Sequence, residues 1–110
     1  SGNDCLDVSQ GIYYFEKLSL SSCKDKAISI GESSRVSIKQ SIIDNSKIGL
    51  AVKDSSDVDI KNFEGREINY CVQIYRKKQE FGPSKLEILN NTCLGIYTNY
   101  IQKGSVFNES

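Results

Sequence analysis

The chain has 110 residues with 14 basic and 14 acidic side chains, so it is long enough for one domain and carries no formal net charge. This balance argues against a nucleic-acid-binding protein, which usually has an excess of basic residues. The absence of His excludes Ser-His and Cys-His dyads and His-ligated metal sites, and no apolar run is long enough to span a bilayer. We therefore expect no cofactor, no metal, no nucleic-acid partner and no membrane span.

An internal repeat organises the chain and is clearest in its middle. Residues 27–39 align without gaps on residues 49–61, an offset of 22, with apolar positions, Ser pairs and a closing Lys matching in kind. Apolar and polar residues alternate within each repeat, which is the period of a strand. The repeat predicts an all-β fold, a right-handed parallel β-helix. This would be a three-sided solenoid of 22-residue coils, with about 4 to 5 coils.

Taken in chain order, the predicted strands form three groups. The first group contains Leu6/Val8, Ile28/Ile30, Leu50/Val52 and Val72/Ile74. The second contains Tyr13/Phe15, Val36/Ile38, Val58/Ile60 and Leu86/Ile88. The third, weaker group contains Leu18/Leu20, Ile42/Ile43 and Phe63. We expect one β-helix domain over residues 1–110, a fragment of a larger protein, in which residues 97–110 lose the repeat and form a cap or a frayed tail.

The turn after the first strand of a coil repeats its polar residues. Glu32-Ser33-Ser34 and Asp54-Ser55-Ser56 occupy equivalent positions. Stacked Ser hydroxyls and carboxylates can satisfy the backbone groups of such turns coil after coil. We predict a structural ladder here, because a Ser nucleophile would have no base to support it.

One pair of carboxylates suggests an alternative enzymatic function. Asp59 and Glu87 are predicted to point outward from adjacent coils, roughly 4.8 Å apart by strand spacing. Such a pair could serve acid–base chemistry or calcium binding in a polysaccharide lyase or hydrolase. The interpretation that we adopt is plainer, a solvated surface pair neutralised by neighbours such as Lys61.

The fourth coil contains an insertion. Leu86 follows Val58 by 28 residues where 22 are expected, and the extra residues fall within Arg76–Ser84. Insertions in repeat proteins map to loops, often on the binding face. Aromatic rings beside cations suit an acidic sugar polymer, a carboxylate or a phosphate. The predicted ligand-binding residues are Lys53, Tyr75, Arg76, Lys77, Lys78 and Phe81; the alternative is a solvated loop anchored by Phe81.

The four cysteines leave their redox state open. Cys5 and Cys23 belong to the first coil and the turn that follows it, whereas Cys71 and Cys93 are one repeat apart in number. Neither pair has the spacing of a zinc site. Free buried thiols are the expectation that we adopt, with one or two disulfides as the alternative that an exported protein would favour.

Four stretches of the chain resemble a known type of module: Asp4–Ser9, Cys23–Glu32, Ile48–Ser56 and Tyr75–Gly82. Together they are similar to the β-helix segment that accompanies spore-coat CotH-type, kinase-like domains in bacteria, and more distantly to pectin-lyase-like β-helices. The resemblance implies a non-catalytic scaffold or binding module of an exported or cell-surface bacterial protein, beside a neighbouring domain of the parent chain. Polysaccharide or another cell-surface component is the expected partner. Besides the binding module and the polysaccharide-active enzyme, a third possible function is self-association through exposed solenoid ends.

Overall fold

The computed structural model describes residues 4–110, and none of these residues is helical. Seven strands follow one another: β1 (Leu6–Ser9), β2 (Ile12–Gly31), β3 (Arg35–Lys53), β4 (Asp57–Tyr75), β5 (Lys85–Tyr97), β6 (Tyr100–Ile101) and β7 (Val106–Glu109). All pairs are parallel, in the order β1-β2-β3-β4-β5-β7, with β6 beside β4. The described part of the chain has no helix that could cross a membrane.

The register of the strands follows the repeat. Leu6 pairs with Ile28, Ile28 with Leu50, and Leu50 with Val72. The paired residues of β2 fall into three runs, 12–15, 17–23 and 26–30, which are the three sides of a coil. The predicted all-β parallel solenoid, with coils of about 22 residues and about 5 turns, is confirmed. The physical basis is that one coil cannot bury its own apolar face, whereas stacked coils share a continuous core.

We number the coils from the first side: coil one begins at Cys5, coil two at Ala27, coil three at Gly49 and coil four at Cys71. The interior is lined by the apolar residues of the first two sides, and the pairing predicted for both groups is confirmed. In coils two to four these residues are buried: Ile28, Ile30, Val36, Ile38, Leu50, Val52, Val58, Ile60, Val72, Ile74, Leu86 and Ile88.

The third side departs from the predicted pattern. Leu18 pairs with Ser41 and Ser41 with Phe63, so a serine occupies the inward position. Ile42 and Ile43 are consecutive and alternate across the strand, so only Ile43 is buried in the core. Ser41 is fully buried, and its hydroxyl has no partner among the described residues, which costs stability. The third strand group is therefore present, but only Ile43 of its Ile42/Ile43 pair belongs to the core.

The expectation of free thiols is also wrong. Cys5 is disulfide-bonded to Cys23 and Cys71 to Cys93, with Cα–Cα distances of 5.7 and 6.2 Å. In each pair, the first residue of a coil is joined to the third side of the same coil, so bending of the coil brings the two residues together. Coils one and four are closed in this way. Gly65 makes room for the second disulfide, because a Cβ there would lie 2.6 Å from Cys93 Sγ.

The predicted ladder of serines is confirmed by hydrogen bonds between successive coils. The backbone N–H groups of Ser34, Ser56 and Ser84 donate to the hydroxyls of Ser56, Ser84 and Ser105 at 3.2, 3.0 and 3.0 Å. The Ser56 hydroxyl also donates to the Lys53 carbonyl at 2.7 Å, within its own turn. The turns before Ser34 and Ser56 each contain two consecutive residues with positive φ, as at Asp54 (54°) and Ser55 (62°).

Residues 97–110 contain two of the short strands. β6 pairs with the first side of coil four and β7 with the second, in the same parallel register as the preceding coils. At the C-terminus, the Asn91 N–H donates to the Ser110 carbonyl at 3.2 Å. This segment, for which the sequence suggests a cap or a tail, places a partial fifth coil on two of the three sides.

Candidate functional site

The outer face of the first side is buried, although alternation directs its side chains away from the core. We call the stacked segments 6–9, 26–31, 48–53, 70–75 and 100–101 the first sheet. Apart from Lys53, its outward residues in coils two and three are small, and Ala27, Ser29 and Ala51 are 0% exposed. Long side chains therefore lie across this face. These side chains and the inserted loop beside them form the candidate site.

Lys53 is the central side chain of this layer. It is only 8% exposed, and its ammonium donates to Ser29 Oγ at 2.8 Å. The lysine stem packs over Gly31, where a Cβ would lie 3.6 Å from Lys53 Cε, an ordinary contact distance. Burial lowers the pKa of Lys53, the charges of Lys26 and Lys77 lower it further, and nearby acids such as Asp7 oppose the shift.

A second charged group covers the same face. Lys26 Nζ lies 2.8 Å from Asp25 Oδ2 and 4.0 Å from Asp4 Oδ1. The Lys26 backbone N–H also donates to Asp4 Oδ1 at 3.2 Å. Burial by itself would lower the pKa of Lys26. The hydrogen bond to Asp25 and the charges of Tyr75 and Asp4 outweigh burial, so the pKa of this lysine is raised. Burial also raises the pKa of Tyr75, which pairs in register with Lys53.

The inserted loop is held by the turn beneath it. Asp54 is 2% exposed, and its Oδ1 accepts the backbone N–H groups of Lys77 at 2.7 Å and Lys78 at 3.0 Å. Ser55 adds two bonds, because its hydroxyl accepts the Gly82 N–H at 2.6 Å while its own N–H donates to the Gly82 carbonyl at 3.0 Å. Hydrogen bonds to an ionised acceptor are strong. The loop is therefore anchored at both ends to coil three.

The three loop cations have different surroundings. Lys78 forms an ion pair with Glu32, whose hydrogen bond raises the pKa of the lysine. Arg76 Nη1 donates to the Phe81 carbonyl at 3.4 Å, which leaves the guanidinium within the loop. The Lys77 side chain forms no ion pair with the described residues, although its charge acts on Lys53. Lys77 is therefore the loop cation most available to a ligand.

A pocket of about 250 Å³ lies between the loop and the first sheet. It is lined by Asp7, Val8, Ser9, Gly31, Glu32, Lys53, Asp54, Lys77 and Lys78. Of the predicted ligand-binding residues, Lys53, Lys77 and Lys78 meet here, whereas Tyr75, Arg76 and Phe81 are not part of the lining. Three lysines and three carboxylates suit a ligand that carries both an anionic group and hydroxyls, because lysines donate hydrogen bonds and carboxylates accept them.

Asp59 and Glu87 meet on a different face. They are register partners on β4 and β5, and both line a groove of about 350 Å³ with Lys61, Leu89 and Asn108. The Ser37 hydroxyl donates to Asp59 Oδ1 at 2.7 Å. Within residues 4–110, no group of three or more His, Cys, Asp or Glu side chains is arranged to hold a metal ion.

Several residues of the site were missed from the sequence. Asp4, Asp7, Lys26 and Ser29 were not among the predicted binding residues, because the sequence does not show which side chains cover the outer face of the first sheet. Asp4 and Lys26 are 22 residues apart, so the repeat itself could have indicated their contact. The role of Asp54 left no such signal, because its partners are backbone amides.

Comparison with known protein families, curated proteins and solved structures finds no significant match for this chain.

Proposed function

We propose that this chain is a non-catalytic binding module on a β-solenoid scaffold, and that it binds an acidic carbohydrate in the pocket between the first sheet and the inserted loop. The observation that carries the proposal is the convergence of Lys53, Lys77 and Lys78 on one pocket. Lys53 is buried and oriented by Ser29, so little side-chain entropy is lost when it meets a ligand carboxylate. The Glu32 carboxylate lies in the same lining and can accept a hydrogen bond from a ligand hydroxyl.

Two disulfides support a location outside the reducing cytosol, because such bonds persist mainly in oxidising compartments. Together with the resemblance to β-helix segments that accompany CotH-type domains, they favour an exported or cell-surface bacterial protein. In that setting the solenoid holds the binding pocket at a fixed position relative to a neighbouring domain of the parent chain.

The binding proposal can be tested with polygalacturonic acid as an acidic polysaccharide and dextran as an uncharged one. We expect the wild-type chain to bind the acidic polymer only. Lys77→Glu with Lys78→Glu should weaken binding at least about tenfold, because two attractive charges become repulsive. Isothermal titration calorimetry measures both affinities.

A charge-matched control separates the pocket from general electrostatic attraction. Lys39→Glu with Lys61→Glu makes the same charge change on the second side of the solenoid, and both lysines are exposed. This variant should bind as the wild type does. Equal binding by the loop variant, or equal loss in both variants, would contradict the assignment to this pocket.

A second candidate, a polysaccharide-active enzyme, is favoured by one observation: Asp59 and Glu87 are register partners within one groove. The separation of adjacent strands, about 4.8 Å, is close to that of the carboxyl groups in retaining glycosidases. If this candidate is right, the wild type should release reducing ends from polygalacturonic acid and Asp59→Asn should not, with Asp57→Asn as the control. No release by the wild type removes the candidate.

A further inference from the structure

Lys53 is a buried amine whose charge has little compensation. Its ammonium donates to Ser29 Oγ at 2.8 Å, and Ser29 is itself fully buried, so the partner is a neutral hydroxyl. Within residues 4–110 no carboxylate lies at ion-pair distance from Lys53, whereas Lys26 and Lys78 form ion pairs. Burial favours the uncharged form of an amine, and the uncharged form is the nucleophile. Lys53 is therefore a candidate for covalent chemistry that the binding proposal does not use.

The charges that act on Lys53 come from three parts of the chain. Lys26 belongs to coil two and Lys77 to the inserted loop, and both cations add to the effect of burial in lowering the pKa of Lys53. Asp7 and Asp4, near the start of the chain, act in the opposite direction and more weakly. The two lysines therefore outweigh the two acids at the Lys53 amine, and an anion at this position would be attracted by both lysines.

The other charged groups around the pocket are already engaged. Asp54 Oδ1 accepts two backbone amides of the inserted loop, and Glu32 forms an ion pair with Lys78. Asp25 pairs with Lys26. Tyr75, in register with Lys53, is an uncharged phenol at neutral pH, because burial raises its pKa. None of these groups neutralises the Lys53 amine directly.

Access to Lys53 favours a small reagent. The residue is 8% exposed, and it lines the pocket of about 250 Å³ together with Lys77 and Lys78. Carbon dioxide is an electrophile of three atoms that reacts with an uncharged amine and not with an ammonium group. Its product with an amine, a carbamate, is an anion. A buried lysine beside two cations suits both the formation and the retention of that anion.

We propose that Lys53 is a site of reversible carbamate formation with carbon dioxide. The lone pair of the uncharged amine attacks the carbon atom, so a nitrogen–carbon bond forms and one carbon–oxygen π bond gives its electron pair to oxygen. The nitrogen then releases a proton to water, which leaves the carbamate anion. The Ser29 hydroxyl, which accepts a hydrogen bond from the ammonium, can donate one to the carbamate. The side chain thus changes from a cation to an anion between Lys26 and Lys77.

Chemical trapping tests the proposal on the wild-type chain. The protein is equilibrated with carbon dioxide from about pH 7 to about pH 9, the range in which lowered amine pKa values matter. Triethyloxonium then ethylates any carbamate, and mass spectrometry of peptide fragments locates the modified amine. We expect an ethyl carbamate on Lys53 at an occupancy at least about fivefold above that on the exposed Lys39. The amino-terminal amine also reacts and is identified separately by its own peptide.

A pair of variants tests the electrostatic reason. Lys77→Gln removes one of the two cations and should lower the Lys53 carbamate at least about threefold. Lys61→Gln makes the same change at an exposed position on the second side and should leave it unchanged. Circular dichroism verifies the fold of each variant.

Three results would overturn the proposal: no carbamate on Lys53, an occupancy no higher than on Lys39, or equal occupancy in the Lys77 variant and the wild type. No polysaccharide enters this experiment, so its failure and a failure of the binding proposal are distinguishable.

Discussion

Lys53 and Asp54 are adjacent charged residues whose charges are compensated in different ways. The Lys53 ammonium lies over the first sheet, where it loses hydration and donates to one neutral hydroxyl. The Asp54 carboxylate is more buried, yet two backbone amides of the inserted loop replace its hydration. A buried charge is costly unless hydrogen bonds of this kind replace water. The two residues therefore contribute to stability with opposite signs.

The substitution Lys53→Met tests whether the buried charge of Lys53 lowers the stability of the fold. Because the pKa of Lys53 is lowered from its ordinary value of 10.5, the unfolded chain binds the proton more tightly than the folded chain. Between the two pKa values the unfolded state holds more protons, so this group raises the free energy of unfolding as pH rises. Below the folded pKa both states are protonated and the penalty is constant. The stability of the Met variant relative to the wild type should therefore fall as pH approaches 10.5.

Urea unfolding from neutral to alkaline pH measures this difference, and Lys39→Met, at an exposed position, is the control. The Lys39 variant should follow the wild type across the range. A Lys53 variant whose relative stability grows with pH would contradict the lowered pKa.

Asp54→Ala should destabilise the chain by about 1 to 3 kcal/mol, because two buried amides lose their acceptor. Asp54→Asn should cost less, since the amide oxygen still accepts and Asn tolerates the positive φ of this position. Hydrogen exchange of the Lys77 and Lys78 amides should accelerate more in the Ala variant. Asp57→Asn, which removes only an exposed ion pair with Arg35, should cost less than about 0.5 kcal/mol.

At the scale of the structural element, the turn between the first and second sides determines how the coils stack. Its buried serines form hydrogen bonds between successive coils, and the same turn anchors the inserted loop. The insertion thus extends from a turn that is already fixed. This allows coil four to carry six extra residues while Leu86 keeps its register with Val58.

Ser56→Ala should lower the free energy of unfolding by about 1 to 3 kcal/mol. The substitution removes the acceptor of the buried Ser34 N–H and the donor to the Lys53 carbonyl. Chemical denaturation gives the change. Ser19→Ala, at an exposed position, should be neutral, and a similar loss in both variants would show that the ladder contributes nothing specific.

The first two sides could be predicted from the sequence because each places alternating apolar residues at a constant offset. The third side could not, since adjacent Ile42 and Ile43 satisfy either register and only the pairing with Phe63 shows that Ser41 points inward. At the site, the loop and its lysines were visible as an insertion. The layer over the first sheet was not, because small outward residues such as Ala51 do not reveal which long side chains cover them.

At the scale of the whole molecule, the two disulfides lie in the first coil and in the last complete one. Within residues 4–110, coil one pairs with a coil on one side only and coil four is only partly covered by β6 and β7. Coils two and three are enclosed on both sides and have no cross-link. Within residues 4–110, covalent closure thus occurs in the coils with the fewest stacking neighbours.

Replacing Cys71 and Cys93 with Ala should cost about 2 to 4 kcal/mol, the usual effect of removing a disulfide. The loss should appear first in coil four, as faster hydrogen exchange in β5 than in β3. Replacing Cys5 and Cys23 should instead loosen β1 and the start of β2. If hydrogen exchange accelerated uniformly along the chain in both variants, the idea that each disulfide stabilises its own coil would be contradicted.

The closed coils also determine how the molecule responds to mechanical load. A solenoid pulled from its two ends unwinds coil by coil, but the disulfides prevent extension of the chain between their cysteines, which are separated by 18 and 22 residues in sequence. Those residues amount to roughly 140 Å of extended chain. Stretched in an optical trap, the oxidised protein should therefore have a fully extended length shorter than that of the reduced protein by about this amount. Under tension the oxidised chain is a short tether with two closed loops.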